Sequence, residues 1–230
     1  MSDAPEARLR VHLARGVAAV AVIAALVTVG WQGYRAVLAQ PIARVVYAGD
    51  VDRLPKADLD ALTQAVLGAD HPNLEGVRNA ARLVPWVRDA SVRRVYPDVV
   101  EITFTTHEAV ARWDERHLVS REGVVFEAQV ASALPRLRGP EGAAPRMVAE
   151  LPEITQALAP VGALAELRHT PRGGREALLA GGLTLEIGRG QWKDRAARFV
   201  AAWPRLPEEA RATRYADLRY ANGFALRKAK

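Results

Sequence analysis

The longest run of apolar positions lies near the N-terminus, where residues 16–34 carry no charged side chain over 19 positions. A helix of that length rises about 28 Å, close to the roughly 30 Å hydrocarbon core of a bilayer. Trp31 and Tyr34 lie at its end, where amphipathic rings prefer the membrane interface. The pattern predicts a transmembrane helix over residues 16–34, with these membrane-anchor residues: Gly16, Val20, Leu26, Trp31 and Tyr34.

The arginines before this segment predict its orientation. Arg8, Arg10 and Arg15 precede it, and positive residues stay on the cytoplasmic side. We therefore expect a cytoplasmic tail (1–15), a linker (35–41) and a type II topology with the bulk of the chain in the periplasm. A cleaved signal peptide is the alternative, with a cleavage site ending at Ala39, and a buried core helix is a third. Retention is favoured because signal h-regions run only about 7 to 15 residues.

The pattern of residues 42–107 predicts a small module of helices and strands, because the spacing of the apolar residues changes along it. A β-branched run at 42–47 is typical of a strand. Two stretches follow in which apolar residues recur at helical spacing. The first ends at Gly68 and the second before Pro85. Alternation then predicts two strands joined at Pro97-Asp98, so the order is β-α-α-β-β with both helices on one face of the sheet. The apolar positions of this pattern are Leu59, Leu62, Ala65, Val66, Leu74, Val77, Ala81, Val84, Ala90, Val92, Val95, Val100, Ile102 and Phe104.

Residues 108–230 predict a mostly antiparallel β-domain with an amphipathic helix. An apolar stripe from Trp192 to Trp203, stopped by Pro204, predicts that helix with its stripe facing the core. Asn222-Gly223 predicts a tight type I′ turn between two final strands, 216–220 and 224–227. The other predicted elements are a meander (110–113, 118–120, 124–127), a loop without an element (135–145), a helix (147–158), a strand (164–169) and a hairpin (178–187).

Composition excludes several classes of protein. The chain has 230 residues, half of them hydrophobic, and no Cys, which excludes a disordered chain, a disulfide scaffold and zinc-ribbon or thiol chemistry. The net charge is +6 and the pI about 10.0. The basic residues form no long run, so a nucleic-acid partner is not expected.

A search for catalytic motifs favours a protein that is not an enzyme and has no metal or cofactor. Gly188-Arg189-Gly190 lacks the third glycine of a dinucleotide fingerprint. His107-Glu108 is interpreted as an exposed pair, because neighbours in a strand point to opposite faces. The histidines form no close metal spacing and the serines lie in no GxSxG context: His12, His71, His107, His117, His169, Ser91, Ser120 and Ser132.

The chain resembles the FtsQ/DivIB family of bacterial cell-division proteins. The resemblance extends from the charged tail and membrane segment to the C-terminus, as an ordered set of short motifs. They are Leu83-Val84-Pro85-Trp86-Val87, residues 92–98 (VRRVYPD), 109–113 (AVARW), 134–142 (LPRLRGPEG), 188–190 (GRG), 198–200 (RFV) and 217–225 (DLRYANGFA). One departure is Arg175, at a position where the family usually has Trp.

The resemblance implies a POTRA domain at 42–107 and a β-domain at 108–230 that ends in a partner-binding hairpin. It implies a divisome scaffold of the cell inner membrane, concentrated at the division septum, that links early and late division proteins and controls septal peptidoglycan synthesis. The implied partners are FtsB-like and FtsL-like single-pass proteins at the hairpin, and other divisome proteins through the POTRA domain and membrane segment. Two alternatives remain: a periplasmic envelope enzyme such as a peptidoglycan hydrolase, and an outer-membrane-assembly or secretion adaptor carrying a POTRA module.

The C-terminal hairpin is the candidate docking surface. Its expected pairing is 218–220 with 224–226, which leaves the outer edge of the last strand free to bind another chain. Tyr220 would supply an aromatic contact and Arg219 a charge for an acidic partner. The alternative is that Tyr220 packs in the core and Arg219 is solvated. The candidate partner-binding residues are Arg219, Tyr220, Asn222, Gly223 and, as a second charged contact, Arg172.

The anchor generates the first testable prediction. Residues 16–34 should remain attached, because nothing charged interrupts them and each Arg at bilayer depth costs about 2.5–3.5 kcal/mol. A periplasmic reporter fused to the C-terminus should be active, while the same reporter at the N-terminus should be inactive. A mature protein that starts at Gln40 would contradict retention of the anchor.

Overall fold

A computed structural model describes residues 4–38, 40–69 and 72–227. Residues 1–3 of the predicted tail, Ala39 of the linker and His71 lie outside the described residues. The chain divides into two compact units. Unit 1 is Met1–Val84 with Asp89–Thr105, and unit 2 is Pro85–Arg88 with Thr106–Lys230.

Unit 1 begins with the apolar helix α1, Ala4–Leu38. The stretch Val20–Val37 is long and apolar enough to cross a membrane, with a mean hydropathy of 1.4, and none of it is buried in the protein. All five predicted anchor residues lie in this helix. The side chains of Trp31 and Tyr34 are exposed neighbours, with ring centroids 6.1 Å apart. The helix therefore fits a single-pass membrane protein.

The rest of unit 1 confirms the order β-α-α-β-β. The three-stranded sheet has the order β1-β3-β2, so β3 is central, and β1 is parallel to β3. A half-buried tyrosine joins sheet and helix: the Tyr47 hydroxyl donates to the Leu59 carbonyl at 2.6 Å. The elements are β1 (Arg44–Gly49), a short 3-10 turn (Val51–Arg53), α2 (Lys56–Leu67), α3 (Leu74–Arg82), β2 (Val87–Val95) and β3 (Val99–Thr106).

The apolar faces of this module are largely as predicted. Leu62 and Val66 of α2, and Val77 and Ala81 of α3, are buried, as are alternate residues of β3. The prediction for Val95 was wrong, since it is exposed at the end of β2. The prediction for Ala65 was also wrong, since it is exposed. It lies about 100° around the helix from Val66 and so falls outside the buried stripe.

Unit 2 is built on a nine-stranded mixed sheet of order β12-β11-β10-β9-β8-β7-β4-β5-β6. Its pairs are mostly antiparallel, but β10–β11, β7–β8 and β4–β7 are parallel. The strands are β4 (Ala109–Arg112), β5 (His117–Ser120), β6 (Val125–Glu127), β7 (Arg136–Arg138), β8 (Leu164–His169), β9 (Arg175–Leu179), β10 (Thr184–Gly188), β11 (Tyr215–Asp217) and β12 (Ala225–Arg227). The helices are α4 (Ala144–Leu158), α5 (Trp192–Ala202) and the short α6 (Glu208–Arg211).

The amphipathic helix is confirmed. Trp192, Ala196 and Phe199 of α5 are buried, and Val200 and Trp203 pack against the same core. That core also contains the inner face of α4 and the central strands. The stripe of α5 thus faces the protein interior.

Two predictions for unit 2 were wrong. The segment 135–145 contains β7 and the start of α4, because β7 is held by parallel neighbours far away in the sequence and shows no local period. His107 is buried, with its ring stacked on Phe126 at 4.9 Å, and this burial lowers the pKa of His107. Glu108, its neighbour, is exposed and binds Arg121.

A buried ion pair joins α4 to β9. Arg175 is buried and donates Nε to Glu150 Oε2 at 2.8 Å and Nη2 to Oε1 at 2.7 Å. His169 Nε2 lies 3.3 Å from Glu150 Oε2. Burial alone raises the pKa of Glu150, but the hydrogen bonds from Arg175 and Arg146 outweigh it, so the pKa is lowered. Arg175, the departure from the resemblance, therefore makes an internal charged contact.

This ion pair generates the second prediction. Arg175→Met should lower the free energy of unfolding by about 2–3 kcal/mol at neutral pH, because it removes the two-bond buried partner of a largely buried carboxylate and leaves the exposed Arg146 as its remaining arginine. Urea unfolding followed by circular dichroism measures the loss. Arg146→Met is the control, since Arg146 is an exposed i,i+4 partner of the same carboxylate and should change stability by at most about 0.5 kcal/mol.

The same prediction has a pH dependence. Because the folded-state pKa of Glu150 is lowered, the stabilisation is fully present above the unfolded pKa of about 4.3 and disappears as the pH falls through the folded value. The difference between Arg175→Met and the unaltered protein should shrink in acid. A difference that is equal at pH 7 and in acid would show that the ion pair is not its cause.

Candidate functional site

The C-terminal hairpin forms one edge of the nine-stranded sheet. Its strand β11 is parallel to β10, with Glu186 beside Asp217, and antiparallel to β12, with Ala216 beside Leu226. The buried Thr213 hydroxyl donates to the Arg227 carbonyl at 2.6 Å and so ties the open ends of the two strands together. Within the described residues, β12 has a neighbouring strand on one side only. Its outer edge therefore presents backbone groups to solvent.

The predicted type I′ turn was wrong. Residues 218–224 connect the two strands, and neither Asn222 nor Gly223 has the positive φ that such a turn requires. Leu218 is buried and donates its N–H to the Glu186 carbonyl at 2.9 Å. The predicted pairing of 218–220 with 224–226 is thus replaced by the shorter register 215–217 with 225–227.

Side-chain packing explains the wider connection. The ring of Phe224 meets Phe199 of α5 edge to face, with centroids 5.0 Å apart. Arg198 Nη2, on the same helix, donates to the Tyr220 carbonyl at 3.2 Å. The connection is therefore held against α5 rather than folded tightly on itself.

Arg219 is held by Asp217, the last residue of β11. Nε donates to Asp217 Oδ1 at 2.9 Å and Nη2 to Oδ2 at 2.7 Å, and Nη1 lies 4.0 Å from Glu186 Oε1. The hydrogen bonds from Arg219 lower the pKa of Asp217. Burial raises the pKa of Glu186, and the positive charge of Arg219 offsets part of this increase. More than half of the Arg219 side chain remains exposed, so the guanidinium is oriented yet accessible.

The structure brings two of the predicted residues together. Arg172, from the turn between β8 and β9, and Arg219 line one open cleft of about 470 Å³, together with Arg189 and Glu186. Three arginines line the cleft with Glu186 as its one lining carboxylate, and Asp217 pairs with one of the three, so a smaller positive surplus remains. An anionic group is the ligand that such a cleft favours.

Tyr220 lies beside this cleft along the chain, and 57% of the residue is exposed. The alternative that it packs in the core is therefore wrong. An exposed aromatic side chain next to a basic cleft and a free strand edge is typical of a protein-binding surface. Asn222 is exposed and Gly223 half-buried in the same connection.

Sequence reasoning missed Arg189, Glu186 and Asp217. The sequence did contain a signal for Asp217. It lies two residues before Arg219, and residues two positions apart share a face of a strand. Glu186 lies in β10 and Arg189 in the turn that follows it, and only the sheet topology places these two residues beside Arg219. Across the described ranges, no group of three or more His, Asp or Glu side chains is placed to hold a metal ion.

Comparison with known proteins identifies relatives. Residues 111–219 match the family model of the C-terminal region of the cell division protein FtsQ/DivIB. Cell division protein FtsQ of Neisseria gonorrhoeae is 32% identical over 194 residues, covering 82% of this chain and 80% of that protein. FtsQ of Xanthomonas campestris is 34% identical over 216 residues (91% and 77%), and FtsQ of Escherichia coli 32% over 205 residues (77% and 74%).

The close approach of the chain at Gly188 generates the third prediction. Gly188 has φ +80°, and a Cβ there would lie 2.8 Å from Arg219 Cγ. Gly188→Ala should therefore displace Arg219 and cost about 1–2 kcal/mol of unfolding free energy in urea. Gly181→Ala is the matched control, because Gly181 has no positive φ and nothing lies within 4 Å. Equal stability of the two variants would contradict the prediction.

Proposed function

Because the chain belongs to the FtsQ/DivIB family of cell-division proteins, we propose that it is a single-pass scaffold of the divisome. Helix α1 holds it in the inner membrane, and the remainder lies in the periplasm at the division septum. There it links early and late division proteins and so controls septal peptidoglycan synthesis. The role is assembly rather than catalysis, since its relatives are named for division and not for a reaction.

The observation that carries this proposal is the free outer edge of β12, with the exposed Tyr220 beside it. A segment of an FtsB-like partner adds to this edge as a further strand, and the FtsL-like protein joins through it. Each added backbone hydrogen bond contributes about 0.5–1.5 kcal/mol net. Tyr220 supplies the larger side-chain contact, because aromatic residues dominate the energy of interfaces.

The basic cleft determines how the partner strand is aligned along β12. Arg219 is oriented by Asp217 but keeps donors directed to solvent, since a guanidinium has five N–H groups and Asp217 uses two. Arg172 and Arg189 add charge to the lining of the same cleft. An acidic side chain of the partner binds between them, which favours one alignment of the added strand over others.

Residues 42–107 are proposed as a second, weaker binding region, the POTRA domain of the resemblance. Their sheet has β1 and β2 at its two edges. Edges of this kind accept another chain through backbone hydrogen bonds. Together with the membrane segment, this region contacts other divisome proteins and directs the chain to the division site.

The fourth prediction tests the hairpin surface. Tyr220→Ala and Arg219→Glu should each weaken binding of the FtsB-like partner at least tenfold, about 1.4 kcal/mol. Binding is measured by titrating the purified partner against the protein. Both variants should give the unaltered circular dichroism spectrum, because both side chains are largely exposed.

Matched controls exist on the same chain. Tyr96→Ala removes a tyrosine of similar exposure from the other unit, and Arg205→Glu removes an exposed arginine away from the cleft. Neither should change the affinity. If the hairpin variants fold and bind as tightly as these controls, the docking surface lies elsewhere and this assignment is wrong.

A further inference from the structure

One end of the unit 1 sheet is tied to the segment that follows α1. The guanidinium of Arg94, near the end of β2, donates to the carbonyls of Gln40 and Pro97. The N–H groups of Ala43 and Arg44 donate to the Asp98 carbonyl at 2.8 and 3.2 Å. The chain leaving α1 is thus bonded to the β2–β3 turn, Tyr96–Asp98.

This attachment keeps the turn close to the end of the apolar helix. From Tyr34 to Leu38 the helix rises about 6 Å, and two further residues reach at most about 7 Å. Gln40 therefore lies within about 13 Å of Tyr34, and the Arg94 group is one hydrogen bond further away. The polar headgroup layer begins at the level of Trp31 and Tyr34.

The same end of the module is basic and aromatic. Arg44 begins β1 beside Val99, and Arg93 lies near the end of β2, with 70% and 68% of their side chains exposed. Tyr96 is 54% exposed, and the Arg94 guanidinium lies 4.9 Å from its ring centroid. We name Arg44, Arg93, Arg94 and Tyr96 the juxtamembrane patch.

The acidic neighbours of the patch leave it positive. Asp98 lies 3.8 Å from Arg44, and Glu101 accepts from Arg93 at 3.0 Å. Each carboxylate engages one part of a guanidinium that has five donors, so donors remain for a second anion. Arg35, at the end of α1, adds one more positive charge on the same side.

We propose that the juxtamembrane patch binds anionic phospholipid headgroups on the periplasmic surface of the membrane that holds α1. The inference rests on the proposed membrane anchor and goes beyond it. Guanidinium groups pair with phosphate through parallel N–H···O bonds, and tyrosine prefers the interface. The patch would then restrict unit 1 to one orientation at the membrane surface.

A lipid is the occupant because the chain itself brings the patch to the surface. A protein partner, even one anchored in the same membrane, must diffuse to the patch, whereas the anchor of this chain holds the patch beside headgroups at a high effective concentration. An acidic protein segment is the competing occupant, and the experiment separates the two.

The experiment uses single cysteines, since the natural sequence has none. The full-length Val95→Cys protein is spin-labelled and reconstituted into vesicles of phosphatidylcholine alone or mixed with phosphatidylglycerol. Relaxation by nickel chelated to lipid headgroups reports proximity to the surface. Leu83→Cys is the reference, because Leu83 is 83% exposed and precedes β2, whose eight steps from end to end span about 26 Å.

The expected result is a strong nickel effect at position 95 that increases with phosphatidylglycerol, and a weak, composition-independent effect at position 83. Arg44→Gln with Arg93→Gln should lower the effect at position 95 by about threefold or more. Arg53→Gln with Lys56→Gln is the matched control; it removes the same charge after the other end of β1 and should change nothing.

Three results would overturn the proposal. The first is a nickel effect at position 95 that does not depend on phosphatidylglycerol, and the second is an equal response of the two double variants. The third is an unchanged lipid signal in Arg44→Gln with Arg93→Gln together with lost binding of an acidic division protein, which would make the patch a protein-binding surface.

Vesicle flotation separates this inference from the proposed function. If the unaltered protein does not float with the vesicles, the anchor is wrong and this inference fails with it. If the protein floats but position 95 shows no effect of anionic lipid, only the inference is overturned.

Discussion

The nine-stranded sheet depends on the backbone pairing of three residues, Arg136–Arg138. This strand, β7, is parallel to β4 on one side and to β8 on the other, and Leu137 in its middle is fully buried. Without it the meander β4–β6 has no neighbour in the sheet. The Arg112 N–H donates to the Pro135 carbonyl at 2.9 Å, which fixes where β7 begins. One short pairing thus makes a single sheet out of strands distant in the sequence.

The long sheet separates its structural and binding elements. Its centre carries the buried contacts, including the Arg175–Glu150 ion pair that joins β9 to α4. Its β12 side carries an edge strand, and the basic cleft lies at the β8–β9 turn and the end of β10. A surface at an edge can accept a partner without disturbing the core, because the added backbone bonds use groups that previously faced water. This arrangement suits an assembly protein.

Arginine has different roles in the two units, set by what surrounds each guanidinium. In unit 1, Arg94 binds backbone carbonyls and so joins the post-helix segment to the sheet. In unit 2, Arg175 is buried with its carboxylate, whereas Arg219 pairs with Asp217 and stays accessible. The overall charge of +6 therefore says little about function; the burial and the partner of each arginine decide whether it stabilises the fold or is available for binding.

Local periodicity was sufficient for the membrane helix, the β-α-α-β-β order, the meander and the core stripe of α5. The membrane helix is apolar on every face, and each of the others buries a regular face of its own element. The hairpin pattern indicated Arg219 and Tyr220, with support from the family resemblance, and the resemblance alone supplied Arg172. Only the tertiary structure decided the strand at 136–138, the burial of His107, the wide 218–224 connection and the meeting of Arg172 with Arg219. These features arise from contacts between residues distant in the chain, and no local pattern of hydrophobic and polar positions encodes such contacts.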